Sequence, residues 1–250
     1  MFGTVRKAED IMARVDILGI QVDPVTMTDA VTRIADAVRE RMPLRVVTAN
    51  PEMIYAALKD ARLRQVINSA DLVTPDGVGV VWAADQLGTP VPERVTGIDL
   101  LAVLWPVAAR GQWRVYFLGS RPGVAEAAAT QVAGAHPGIV WAARDGYFKA
   151  AEEENVVKEI RVFNPDLLLV GLGAPRQEYW LAGHPGLATV GIGVGGSFDA
   201  LAGLVTRAPQ RVRDLRLEWL YRLCQEPWRW RRQTVLPRFA ARVLAKKWGM

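Results

Sequence analysis

The chain has 250 residues, half of them hydrophobic, with 31 Lys+Arg against 26 Asp+Glu, two histidines and one cysteine. That is enough apolar material for one large α/β domain, or one domain plus an appendage. The single Cys224 excludes an intramolecular disulfide framework and fits a reducing compartment, and with His136 and His184 it makes a dedicated zinc site a poor reading. No apolar run reaches the roughly 18 residues of a transmembrane helix. The N-terminal MFGTVRKAEDIMARVD is charged throughout, so it does not read as a signal peptide and the expected location is the cytoplasm.

In chain order, Val15 to Val22 reads as an opening strand or hairpin arm, turned by Asp23-Pro24. Thr26 to Arg41 has Ala30, Ile34, Ala37 and Val38 at helical spacing and predicts an amphipathic helix. Leu44 to Thr48 is a strand ending at Thr48-Ala49-Asn50, and Pro51 opens a helix running to about Ser69, since the first helical position needs no N–H. Leu72-Val73-Thr74 is a short strand stopped by Pro75, with Asp76, Gly77 and Gly79 leading into an apolar helix. The Pro- and Gly-containing segment 88–97 reads as a loop carrying Glu93 and Arg94, followed by a helix over Ile98 to Arg110.

Trp113 to Leu118, Gly138 to Ala143, Asp166 to Val170 and Thr189 to Val194 are further strands. Between them lie an alanine-rich helix to about Ala135, a helix over Glu152 to Phe163 with acids in its first turn, and a helix carrying Trp180. Strands alternating with helices imply βαβ units with right-handed crossovers. The fold class expected is α/β: a Rossmann-like, mostly parallel sheet with helices on both faces, plus a helical C-terminal appendage. The boundary falls near 201–209, giving a core over residues 1–200 and an appendage over 201–250. The charge balance changes there, with 12 Lys+Arg and 3 Asp+Glu over residues 201–250 against 19 and 23 over 1–200. The appendage reads as two helices, Gln210 to Gln225 and most of Trp228 to Trp248, with Pro237 a kink or boundary. Basic residues with Trp219, Trp228, Trp230 and Trp248 suit an anionic interface, either lipid headgroups or nucleic acid. Ordinary packing of the tryptophans beside a solvated arginine face is the plainer alternative.

Ligands of open α/β sheets bind beyond the carboxyl ends of the strands. Asp76 at such an end is a candidate general base or sugar contact, or the cap of the helix that follows, and both can hold. Gly119-Ser120, Gly171-Leu172-Gly173 and Gly193-Val194-Gly195-Gly196 are turns whose N–H groups could face phosphate, though a glycine turn after a strand is more often a plain tight turn. There is no G-x-G-x-x-G after the first strand, no Walker A motif and no G-x-S-x-G elbow. An Asp-x-Asp pair, which would hold a divalent ion on a sugar nucleotide, is also missing, so arginines, amides and helix dipoles would have to neutralise a leaving diphosphate.

Seven segments carry a resemblance over most of the chain. They are TANPEM (Thr48–Met53), INSADLVTPDGVGVVWA (Ile67–Ala83), PERVTGIDL (Pro92–Leu100), RDGYF (Arg144–Phe148), PDLLLVGLGAPRQEYW (Pro165–Trp180), GVGGSFDALAG (Gly193–Gly203), and RAP with LEWLYRLCQEPWRWRR within Arg207–Arg232. Together they resemble the WecG/TagA/CpsF family, glycosyltransferase family 26. The resemblance implies an inverting, metal-independent transferase at the cytoplasmic membrane face, with no cofactor. It would move N-acetylmannosamine or a close relative from a UDP-sugar to undecaprenyl-diphosphate-linked N-acetylglucosamine, in teichoic-acid or surface-polysaccharide synthesis.

The family's base falls on Asp76, with Thr48 and Asn50 orienting the sugar or acceptor and Arg94 stabilising the diphosphate. Tyr147, Gln177, Asp199, Gly195 and Gly196 match positions for UDP or sugar contact. Arg207, Arg216, Arg222, Arg229, Arg231 and Arg232, with Arg211 and Arg213, are the appendage arginines implied to reach the site, beside an anionic membrane. A homo-oligomer is expected and a nucleic-acid partner is not. On residues alone, Arg94 paired with Glu93 or Asp99, and Thr48 or Asn50 as helix caps, remain open. So do a different UDP-sugar donor and a nucleic-acid-binding role for the tail.

Overall fold

The structure is a computed structural model that describes residues 13–205, 209, 212, 221, 230 and 234–249. The chain enters through a hairpin, β1 (Val15–Ile17) and β2 (Ile20–Val22), whose two-residue turn places Leu18 and Gly19 both at positive φ, 55° and 89°. That is the turn whose twist matches a two-stranded ribbon. The hairpin is a separate antiparallel pair and not part of the main sheet.

Asp23, 2% exposed, fastens it. Its Oδ2 accepts from the Val73 amide at 2.7 Å, its Oδ1 lies 3.1 Å from Arg14 Nε and 3.7 Å from Arg33, and its own amide donates to Val73 at 2.8 Å. Asp23→Ala would leave the buried Val73 N–H without its acceptor. It is expected to lower stability by about 1–3 kcal/mol, read as a lower urea midpoint. An unchanged midpoint would mean that the arginines hold the hairpin without it.

The main sheet has six parallel strands. They are β3 (Leu44–Ala49), β4 (Leu72–Pro75), β5 (Arg114–Gly119), β6 (Val140–Arg144), β7 (Leu167–Gly171) and β8 (Val190–Gly193), in the order β4-β3-β8-β7-β5-β6. Successive residues take opposite faces, as the two-residue period of a strand requires. Val46, Leu72, Val115, Phe117, Leu167 and Leu169 join one core with α1 (Met27–Glu40), α5 (Gly97–Arg110), α6 (Val124–Ala135) and the short α9 (Ser197–Leu201).

On the opposite face, Val47, Ala49 and Val73 meet the hairpin, α2 (Pro51–Ala57), α3 (Ala61–Asn68) and α4 (Val78–Gln86). Tyr116, Leu118, Leu168 and Val170 meet α7 (Glu153–Phe163) and α8 (Arg176–Gly183) there. The expected α/β class, parallel sheet and helices on both faces are all present.

One element departs from expectation, and for Pro237 the structure selects the boundary over the kink. The helix read from Pro51 to Ser69 is two helices, because the Asp60 side chain accepts from the Leu63 amide at 3.0 Å and starts a new one. An aspartate that caps competes with continuation of the helix through it. In the appendage, the described helix α10 (Val235–Lys247) holds Pro237 in its first turn, where the missing N–H costs no hydrogen bond, so Pro237 marks a start and not a kink. The helix read over Gln210 to Gln225 lies outside the described residues apart from 212 and 221. α10 packs back on α2 and α4, burying Phe239 and Val243 in the same core as Met53, Ile54, Val80 and Ala83.

Candidate functional site

β3 and β8 are parallel neighbours and β4 flanks β3, so the turns that leave the carboxyl ends of all three stand side by side. Open α/β folds take ligands beyond those ends. A cleft of about 430 Å³ lies there. Its polar part is lined by Thr48 and Asn50 from the end of β3, Asp76 and Gly77 from the end of β4, Arg94 and Thr96 from the loop before α5, Gln177 from α8, and Gly195, Gly196 and Ser197 after β8. Its apolar part comes from Met53, Trp82, Leu236, Phe239 and Ala240.

Register puts the first group together. Thr48 pairs with Thr74 and Ala49 with Pro75, and the ladder runs on one bond further, the Asp76 amide donating to Ala49 at 2.9 Å. Asp76 therefore emerges beside Asn50. Gly77, at φ +100°, turns the chain away, and Gly79 lets α4 start against α2, since a Cβ there would stand 2.7 Å from Pro51 Cγ.

Asp76 does not cap α4, whose N-cap is Gly77 with no side-chain hydrogen bond. Its Oδ2 is instead approached at 3.5 Å by the Gly97 amide, in the first turn of α5, a position where a helix dipole favours negative charge. The Val95 amide donates to Pro75 at 3.0 Å, which fixes the loop carrying Arg94 against the end of β4.

The open alternatives now divide. The Asn50 carboxamide oxygen does cap α2, accepting from the Met53 amide at 2.9 Å, while the residue still lines the cleft. Thr48 is no cap; its hydroxyl donates to the Gly193 carbonyl at 3.3 Å and ties β3 to β8. Arg94 stands 3.6 Å from Asp99, which itself accepts from the Thr96 hydroxyl at 2.6 Å, whereas Glu93 accepts from the Met27 amide at the start of α1.

Tyr147 and Asp199 do not line this cleft. Tyr147 is 73% exposed in the loop after β6, and Asp199 lies 3.4 Å from Arg121 in the turn after β5. At the glycine turn after β8 the plain tight-turn alternative holds for two amides. The Gly195 amide donates at 3.0 Å to Gln177 Oε1 and the Val194 amide to Val170 at 2.9 Å, so both are spent inside the protein and neither is offered to a phosphate. The appendage arginines Arg207, Arg211, Arg213, Arg216, Arg222, Arg229, Arg231 and Arg232 lie outside the described residues.

The residues not singled out beforehand are mostly apolar: Met53, Trp82 and Phe239. Met53 and Trp82 lie inside motif segments, but nothing in their spacing distinguishes a cleft wall from core. Glu178, also inside a motif, is 2% exposed, and burial pushes its carboxyl above the usual glutamate range, opposed by the hydrogen bond from Gln177.

The model of the family described as "Glycosyl transferase WecG/TagA/CpsF family" matches residues 15–250. Among curated relatives, an N-acetylglucosaminyldiphosphoundecaprenol N-acetyl-beta-D-mannosaminyltransferase of Staphylococcus aureus (strain MW2) is 37% identical over 239 residues, 94% of each chain. The protein of the same name in S. aureus (strain COL) is 39% identical over 214 residues, 84% of each. That of Bacillus spizizenii is 38% identical over 202 residues, 80% of this chain and 78% of its own.

Proposed function

The chain belongs to the WecG/TagA/CpsF family of glycosyltransferases, and from that premise we propose that it transfers N-acetylmannosamine from a UDP-linked donor to undecaprenyl-diphosphate-linked N-acetylglucosamine. The transfer proceeds with inversion and without a metal ion. The relatives' names supply the sugar and the lipid acceptor. The observation that carries the chemistry is Asp76, which with Arg94 lines a cleft that has one polar and one apolar part.

In the reaction, an acceptor hydroxyl gives its proton to the Asp76 carboxylate. Its oxygen bonds to the anomeric carbon from the face opposite UDP, and the bond from that carbon to the diphosphate oxygen breaks with its electron pair. Arg94 lies where it can meet the charge that develops on the diphosphate, as does the α5 N-terminus. Thr48 and Asn50 orient the sugar or acceptor, with Gly196 and the Gly195 backbone as further wall contacts. Tyr147 and Asp199, at neighbouring strand ends, bind the nucleotide only if it extends beyond the cleft. Teichoic-acid or related surface-polymer synthesis is where such a product is used.

The site test is UDP release from UDP-N-acetylmannosamine with a short-chain lipid-diphosphate N-acetylglucosamine acceptor, in EDTA. Turnover in EDTA supports metal-free transfer. Turnover only with added divalent ion overturns that part, and none with either refutes the donor–acceptor pair. UDP-glucose and UDP-N-acetylglucosamine run alongside test the donor.

No helix among the described residues is long and apolar enough to cross a membrane, and the acceptor carries a lipid. The basic, tryptophan-bearing residues 201–250 therefore form the peripheral contact with the inner membrane face in this reading, in a homo-oligomeric enzyme. A chain ended after Ala200 is expected to lose both turnover and sedimentation with anionic vesicles. Retention of both would refute the role of the appendage.

A further inference from the structure

Glu178 is a buried carboxyl without a salt bridge among the described residues. Its Oε1 accepts from Gln177 Nε2 at 2.7 Å, and its Oε2 has no hydrogen-bond partner among the described residues. Gln177, 3% exposed, uses its Oε1 to accept from the Gly195 amide at 3.0 Å. A backbone N–H only donates, so this bond fixes which end of the carboxamide is oxygen. Nε2 must then be the donor to Glu178, and Glu178 Oε1 is an acceptor whether or not the carboxyl is ionised. Burial pushes the carboxyl above the usual glutamate range, against the opposing hydrogen bond from Gln177.

The pair is pressed against bare backbone. A Cβ on Gly193 would stand 2.8 Å from Gln177 Nε2 and 3.1 Å from Glu178 Oε1. Burying a carboxyl with one oxygen unpaired costs stability, and a leucine of similar size would avoid that cost. What the carboxyl adds is its acceptor. With Oε1 held by Gly195 and one N–H by Glu178, the other N–H of Nε2 remains on a residue that lines the cleft.

We propose that Glu178 is a positioning residue for the transfer. Its buried carboxyl holds the Gln177 carboxamide so that Oε1 pins the Gly195 turn in place as cleft wall and Nε2 offers a donor to a diphosphate or sugar oxygen. The proposal rests on the transferase reading above for the identity of that oxygen, and on geometry alone for the pinning.

The test uses the full chain with Glu178→Gln, which keeps shape and an acceptor oxygen, and Glu178→Leu, which keeps bulk and removes the acceptor. Three quantities are read: hydrogen exchange at the Gly195 amide without substrate, the melting temperature, and kcat and KM for the UDP-sugar. The expected result is that Glu178→Gln stays near wild type throughout. Glu178→Leu exchanges the Gly195 amide about ten-fold faster and loses about ten-fold in kcat/KM, mostly through KM, the scale of one neutral hydrogen bond. It melts no lower than wild type, whereas a merely structural role would lower melting and leave the KM-against-kcat split even. If leucine disturbs the fold, Glu178→Met takes its place.

Unchanged exchange in the apolar variant, or equal losses in both variants, overturns the proposal. Exchange needs no substrate. A wild-type protein inactive on the proposed sugars would thus refute the donor–acceptor reading while the exchange arm still decides the pinning.

Discussion

Asp76→Asn is expected to lower turnover by about 10²- to 10⁴-fold, the usual contribution of a positioned general base, while UDP affinity stays at the wild-type level. Asparagine has the shape of aspartate and keeps an oxygen to face the Gly97 amide, which lies 3.5 Å from Oδ2. The backbone bond from residue 76 to Ala49 does not involve the side chain. The Gly97 contact and the backbone bond are therefore both kept, and what is lost is a basic site for the acceptor proton. Single-turnover UDP release reads the rate, and equilibrium titration with UDP reads the binding. Equal turnover in both proteins would remove Asp76 from the chemistry. Loss of UDP binding together with turnover would instead make it a ligand contact.

Phe239→Ala is expected to cost about 3–5 kcal/mol of stability, the range for truncating a fully buried aromatic ring. Phe239 is 2% exposed, sits in one core with Met53, Ile54 and Val80, and also lines the cleft. Removing the ring opens a cavity between α10, α2 and α4, on the wall that faces Asn50 and Asp76. Denaturant unfolding monitored by circular dichroism measures the cost. A second, earlier transition would mean that α10 leaves alone and the sheet survives. A loss below about 1 kcal/mol, the size of a minor surface change, would mean that α10 is not held through Phe239.

Much of the fold was legible because each strand is short, apolar and stopped by Pro or Gly. The amphipathic spacing of Ala30, Ile34, Ala37 and Val38 named the four buried residues of α1. The break at Asp60 was not legible, because an aspartate between two helical stretches announces a cap only when its side chain turns back on Leu63. Strand order was not legible either, since no pattern in the Val190–Gly193 strand says that it pairs with β3.

At the site, Thr48, Asn50, Asp76 and Arg94 were readable from strand ends and motif segments, and the cleft brings them together. What their side chains bond to was not. The Gly195 amide looked available for phosphate and is taken by Gln177, because the partner lies on a helix 18 positions earlier. The apolar wall from Phe239 depended on a helix returning from the far end of the chain.

The insertion of β8 between β3 and β7 has a consequence for the order in which the protein is made. Thr48 and the Gly193 carbonyl it bonds are separated by 145 residues. Until β8 leaves the ribosome, β3 presents an unsatisfied edge on the side where β8 will pair, and so does β7. Nascent chains that end before residue 190 thus carry two open parallel edges more than the finished sheet, templates for wrong pairing. Closing the sheet waits on a long-range loop closure, the slow kind of step in folding. The strand whose following turn supplies the Gly195–Ser197 wall of the cleft is also the one that closes the sheet, so a growing chain acquires that wall only as it ceases to be a hazard to its neighbours.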